Sequence, residues 1–192
     1  NINQKQKDYI RNNYYKKIIS SKEDEAKIII DKFPLSMIEL GFIKCIFPSA
    51  KIIVALRHPC DVVTSCFFSS FKMNDAMVNF LTLDDTINFY NEVLNLFDFY
   101  NKHLELDQIL IKYKNIVNDF PNQVMLLLKF LGLNYEKKLE KFYITAKKRE
   151  KISTPSYNQV INPLYASSIG RWSNYEKVRK SKSKLRKWIN KF

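Results

Sequence analysis

The chain has 192 residues, 46% of them hydrophobic and 14% aromatic, which is enough apolar material to bury a core and excludes global disorder. It holds only three glycines, Gly41, Gly132 and Gly170, where an average chain would carry about 13, and their wide separation excludes the phosphate-cradling loops GxGxxG and GxxxxGK. The net charge is +13, and residues 147–192 hold 13 Lys or Arg against two acids, Glu150 and Glu176, so that stretch suits an anionic partner: nucleic acid, a membrane surface or a phosphorylated ligand.

Residues Tyr9–Ser20 predict a helix, with Ile10, Tyr14, Ile18 and Ile19 on one side. Ile28–Asp31 is a short β-branched run and predicts a buried strand. Pro34 suits the first turn of a helix reaching about Phe47. Lys51–Arg57 is an unbroken apolar run of the parallel-sheet type. Pro59 opens a helix through about Phe71, and Leu83–Leu104 predicts a long one whose N-terminus is favoured by Asp84 and Asp85. Gln108–Tyr113 is the third expected strand. Pro121–Leu131 follows as a helix with Gly132 as its natural C-cap, and 136–143 predicts a short helix. From Ile152 to Trp172 the pattern is irregular. A last helix is expected from Ser173, whose S-x-x-E with Glu176 spells a capping box.

Short apolar strands alternating with helices predict an α/β fold with a parallel sheet. Three strands are few for such a sheet, and the chain begins at Asn1 rather than Met. Both features suggest a piece of something longer, incomplete at its N-terminus. No apolar run approaches the length of a membrane span, and the polar, basic start is not a signal peptide. Cys45, Cys60 and Cys66 are odd in number and lack metal-ligand spacing. They read as reduced thiols, the expectation for a cytoplasmic protein. With 26 Lys against 6 Arg, a compositional bias accounts for many lysines, and the few arginines carry more information.

Ligands of open parallel sheets bind beyond the C-terminal strand ends. Lys32 leaves the first expected strand just before a helix start, where it can meet an anion; a solvated loop lysine is the plainer reading. Arg57 ends the second strand, and Ser65 lies about two turns into the next helix. A guanidinium and a hydroxyl so placed can converge on one phosphate; an Arg57–Asp61 ion pair is the structural alternative. His58 is a poor general base beside a bound phosphate, which would raise its pKa, and Cys60 has less to recommend it. The hydroxyl-rich run from Ser153 to Trp172 has the make-up of a ligand-covering loop or, more plainly, of a connector.

The order DKFPL, FPSAKIIVALRHPCDVVTSCF, IKYKNIV before LLKFLGL, then STPSYNQVINPLY, SSIGRW and a final Tyr resembles the sulfotransferases that use 3′-phosphoadenosine-5′-phosphosulfate (PAPS). The resemblance is greatest to bacterial ones joined to tetratricopeptide repeats and to the related tyrosylprotein sulfotransferases. It runs from about Asn13 to Trp172. It implies a P-loop-like parallel-sheet fold, with 1–192 as the C-terminal portion of a single sulfotransferase domain. It also implies transfer of a sulfuryl group from PAPS to an acceptor hydroxyl, phenol or amine, with PAP as product and no metal.

Residue by residue, Lys32 matches the lysine that contacts the transferring sulfuryl group and the leaving phosphate oxygen, and so is the catalytic candidate. Arg57 and Ser65 match the pair on the 3′-phosphate. Tyr113 matches a tyrosine near the adenine nucleotide, Ser156 a serine at the nucleotide, and Arg171 a basic residue reaching the 3′-phosphate. His58 and Cys60 depart from the family pattern, which commonly has an acid and an arginine there. The 5′-phosphosulfate loop and the base that follows it have no match in 1–27, so the chain is expected to keep the 3′-phosphate half of the site and to transfer little sulfate alone. The rival reading is a binding module whose basic residues 177–191 grip nucleic acid or another anionic surface, with Trp172 and Trp188 as stacking platforms.

Overall fold

The computed structural model describes residues 2–18, 28–147 and 161–192. They form an α/β chain, mostly helical, with one small parallel sheet. The chain divides into two units, Asn1–Ile52 with Glu92–Asp107 and Ile53–Asn91 with Gln108–Phe192.

In the first unit, α1 spans Gln4–Ile18 and starts earlier than its apolar pattern suggests. Its start is a reciprocal cap: the Gln6 amide donates to Asn3 Oδ1 at 3.0 Å and the Asn3 amide to Gln6 Oε1 at 2.9 Å. Arg11 Nε donates to the Ile46 carbonyl, while the rings of Tyr14 and Tyr15 pack on Phe47 at 5.2 and 5.9 Å. The helix expected from Pro34 to Phe47 is broken in two. A 3-10 turn covers Pro34–Met37 and α2 covers Leu40–Ile46. At the break, Tyr100 Oη, 62 residues on, donates to the Ile38 carbonyl at 2.9 Å, and Glu39 departs from helical dihedrals. Gly41 is required here, because a Cβ would stand 2.9 Å from Tyr100 Cε1.

The strand expected at Ile28–Asp31 is not formed. Ile28, Ile29 and Ile30 are exposed, Ile30 to 77%. An apolar run becomes a strand only when a neighbour supplies the ladder, and among the described residues none pairs with it.

The sheet joins β1 (Ile52–Leu56) to β2 (Gln108–Lys112). Its beginning is marked by the Ile52 amide donating to the Asp107 carbonyl at 2.8 Å. Val54, Leu56 and Ile111 are buried, whereas Ile53 and Leu110 are exposed. The apolar run of β1 is therefore covered on one face, not on both as its composition suggests.

In the second unit, α3 (Pro59–Phe67) follows β1 directly, with Pro59 in its first turn. α4 (Leu83–His103) begins in this unit and from Glu92 onward belongs to the first; it is capped by Thr82, whose Oγ1 accepts the Asp85 amide at 3.1 Å. β2 runs straight into α5 (Tyr113–Asn118), a helix the sequence did not announce, and Asp119 then caps α6 (Phe120–Leu131). Gly132 ends α6 at φ 72°, with the Leu133 amide on Leu128 and its own on Lys129. That is a Schellman closure, as expected of a glycine at this place.

Beyond α6 lie α7 (Phe142–Lys147), α8 (Glu176–Ser181) and α9 (Arg186–Lys191). The expected cap at Ser173 does not form. Ser173 Oγ donates to the Gly170 carbonyl at 2.8 Å inside a 3-10 turn, Arg171–Asn174, and α8 starts only at Glu176. Cys60, Val63, Ile87, Val178 and Leu185 make the core of this unit, with Tyr90, Trp172 and Ile189 packed against it.

Candidate functional site

Arg57 leaves the end of β1, and Pro59, two residues on, starts α3. Tyr113 stands at the corresponding end of β2, as the first residue of α5. The two side chains meet: the Arg57 guanidinium carbon is 5.7 Å from the Tyr113 ring centroid, within cation–π range. Parallel strands that end side by side thus bring together two residues far apart in sequence.

A single segment crosses both strand ends. Tyr113 Oη donates to the Tyr165 carbonyl at 2.7 Å. Arg57 Nη2 donates to the Ser168 carbonyl at 2.5 Å. Asp61, on the first turn of α3, accepts the Gly170 amide on Oδ2 at 2.9 Å and the Trp172 amide on Oδ1 at 3.1 Å. The tie points 165, 168, 170 and 172 therefore run in order from β2 to α3. Gly170 adopts φ 74°, a left-handed turn that a side chain would strain.

Asp61 is nearly fully buried, at 2% exposure. Its contact to Arg57 is long, 3.9 Å, and both its oxygens serve backbone amides. The ion-pair alternative for Arg57 is thus the lesser of Asp61's bonds. Arg57 Nε is buried and has no hydrogen-bond partner among the described residues. A buried donor without an acceptor is costly and marks where an anion would be welcome.

Electrostatics around Arg57 follow from burial. The Tyr113 phenol is pushed up, mainly by desolvation and then by Tyr165, against the opposing charge of Arg57. Burial raises the Cys66 thiol too, again opposed by Arg57, so that charge reaches the residue beside Ser65. Cys60 is fully buried, and desolvation pushes its pKa up to about 11. Such a thiol is inert. His58 stacks on Trp172, centroids 5.3 Å apart and planes 2° from parallel. Its pKa is lowered by burial, opposed by Asp61, with Lys182 adding a smaller lowering.

The remaining candidates are placed as follows. Ser65 is exposed on α3 and shares no hydrogen bond with Arg57. Arg171 is exposed between the two amides that Asp61 holds, and its Nη2 donates to Tyr175 Oη at 3.3 Å. Lys32 is exposed in the first unit, after Asp31, whose carboxylate accepts from Tyr14 Oη at 2.8 Å. Ser156 lies outside the described residues.

Trp188, the expected stacking platform, is 1% exposed and donates Nε1 to Asn91 at 2.9 Å. It is a core residue and cannot receive a base. The i,i+4 ion pair that the spacing of Arg57 and Asp61 spells is present at 3.9 Å; what sequence reasoning missed is that Asp61 also accepts two amides more than a hundred residues on. Among the described residues no cluster of His, Cys, Asp and Glu could hold a metal ion, and no helix is long and apolar enough to cross a membrane.

Comparison with known proteins agrees with this architecture. A protein of Aquifex aeolicus (strain VF5), named only "Uncharacterized protein", is 26% identical over 165 residues, which is 85% of this chain and 21% of that relative. The chain therefore spans 21% of the length of the curated relative it matches. The sequence model of the sulfotransferase family matches residues 3–137, most of the chain. A two-strand parallel sheet with helices, a cation at the end of β1 and this family match lead to one conclusion: the chain belongs to the sulfotransferase family.

Proposed function

We propose that this chain holds the 3′-phosphate half of a PAPS site, in a protein that transfers the sulfuryl group to a hydroxyl, phenol or amine. The observation that carries the reading is the buried, unpartnered Nε of Arg57 at the end of β1. It sits where parallel sheets receive ligands, in a chain of a sulfotransferase family. Arg57 has donors left after Ser168, and a phosphate oxygen completes them with charge-assisted bonds. Arg171 adds a second guanidinium, Ser65 a hydroxyl, and Tyr113 an aromatic face toward the adenosine. Ser156 adds a further hydroxyl.

Sulfuryl transfer needs positioning and charge stabilisation above all. The acceptor oxygen or nitrogen forms a bond to sulfur while the bond from sulfur to the 5′-phosphate oxygen breaks. PAP leaves with that electron pair, and the acceptor's proton passes to a base. Lys32 neutralises the charge growing on the leaving oxygen. A loop for the 5′-phosphosulfate is not matched in 1–27, so the chain by itself transfers little sulfate. In this reading that loop, and tetratricopeptide repeats, belong to a longer parent protein. The free cysteines Cys45, Cys60 and Cys66 are in keeping with a cytoplasmic setting.

The test is calorimetric titration with PAP, beside an assay of sulfate transfer from labelled PAPS. PAP binding that Arg57→Ala abolishes supports the half-site. Robust transfer by the 192-residue chain contradicts its incompleteness. Salt-sensitive binding to arbitrary DNA that is indifferent to Arg57→Ala contradicts the whole reading.

A further inference from the structure

We propose that Lys182 is a third cation of the nucleotide site, acting on the same terminal phosphate as Arg57 and Arg171. This rests on the reading of Arg57 and Arg171 given above and extends it to a residue outside the family motifs.

Three observations converge on Lys182. Its Nζ is 5.3 Å from the Trp172 ring centroid, within cation–π range. Trp172 follows Arg171 directly, is held through its amide by Asp61, and stacks on His58, the neighbour of Arg57. At His58, Lys182 acts to lower the pKa, against a larger opposing effect of Asp61.

The charges around it do not cancel. Asp61 is the carboxylate tied to this segment; its two oxygens accept the Gly170 and Trp172 amides, and its ion pair, at 3.9 Å, is with Arg57. Lys182 has no carboxylate partner among the described residues, whereas Lys180 is paired to Glu176 and Lys184 to Asp84, each at 2.6 Å. Arg179 is occupied by the Ser173 carbonyl at 2.5 Å.

Val178 and Leu185 are buried on either side of Lys182 in sequence, and a 3-10 turn, Lys182–Leu185, follows α8. Surplus positive charge against a half-buried aromatic is a binding environment for a multiply charged phosphate. It offers little to a neutral group.

The experiment titrates PAP and 5′-AMP, which lacks the 3′-phosphate, into the wild-type protein, Lys182→Ala, Lys182→Arg and Lys180→Ala. Lys182→Ala is expected to weaken PAP about 10-fold while leaving 5′-AMP unchanged, and to flatten the dependence of PAP affinity on ionic strength. Lys182→Arg keeps most of the affinity, and Lys180→Ala keeps all of it. Wild-type affinity for PAP in Lys182→Ala, or equal weakening of both nucleotides, overturns the proposal. A wild-type protein that does not prefer PAP to 5′-AMP overturns the underlying nucleotide reading, and this one with it. The two failures are distinguishable because the second appears before any variant is compared.

Discussion

Asp61 accepts the backbone amide of Gly170 at 2.9 Å across 109 residues of chain. With its other oxygen it holds the Trp172 amide at 3.1 Å, so the residue between them, Arg171, is clasped from both sides. A carboxylate that pairs with one arginine at 3.9 Å is also, in the fold, the anchor of the backbone on either side of another.

Removing that anchor leaves two amides short of an acceptor. Asp61→Ala is expected to destabilise the protein by about 2–4 kcal/mol, from two lost bonds to a charged group. Asp61→Asn does not restore both bonds, because its amide group turns N–H toward N–H at one of them. Denaturant unfolding reads the stability. Variants that unfold like wild type would show that segment 165–172 is held by other bonds.

The His58 titration has a definite sign. Its folded pKa is lowered by burial, which outweighs the opposing effect of Asp61, with Lys182 adding a smaller lowering, so the neutral ring is the favoured form in the folded state. Stability from this group is fully present above its ordinary pKa and is lost as pH falls through the lower, folded value. NMR titration is expected to place the midpoint below about 6.5. Lys182→Ala is expected to raise it, and so is bound PAP, whose phosphate charge favours the imidazolium. A midpoint indifferent to both changes contradicts the placement of Lys182 near His58.

Gly41 makes a separate demand on the first unit. A Cβ there would meet Tyr100 Cε1 at 2.9 Å, and the ring cannot simply swing away because Tyr100 Oη is bonded to the Ile38 carbonyl. Gly41→Ala is expected to cost about 1–3 kcal/mol by overpacking, measured as a lowered thermal midpoint. In a Tyr100→Ala background, Gly41→Ala should cost less than it does alone. An unchanged midpoint in Gly41→Ala means the ring yields freely.

How much of this could be read from the chain depends on how local each determinant is. The strand ending at Arg57, the helix opening at Pro59, the strand at Gln108 and the cap at Gly132 are each set by neighbours a few residues away, and each is found where expected. Ile28–Asp31 has strand-like residues, but strand formation needs a partner that no local pattern reports. Ser173 has the letters of a cap, yet its hydroxyl turns to Gly170 because the left-handed turn there places a carbonyl within reach.

The site divides in the same way. Arg57 and Tyr113 could be expected side by side because parallel strands end together. The ties to Tyr165, Ser168, Gly170 and Trp172 join residues about 50 to 110 apart, and composition alone carries no trace of them. Trp188 shows the opposite error. An aromatic among lysines looks like a stacking surface, but its indole is buried and bonded to Asn91.

The most direct measurement of the central claim is the affinity of the chain for PAP against 5′-AMP, in wild type and in Arg57→Ala. The account predicts that wild type prefers PAP and that Arg57→Ala loses about 10- to 100-fold of PAP affinity with little change for 5′-AMP. Equal affinity for the two nucleotides, or PAP binding untouched by Arg57→Ala, would contradict it.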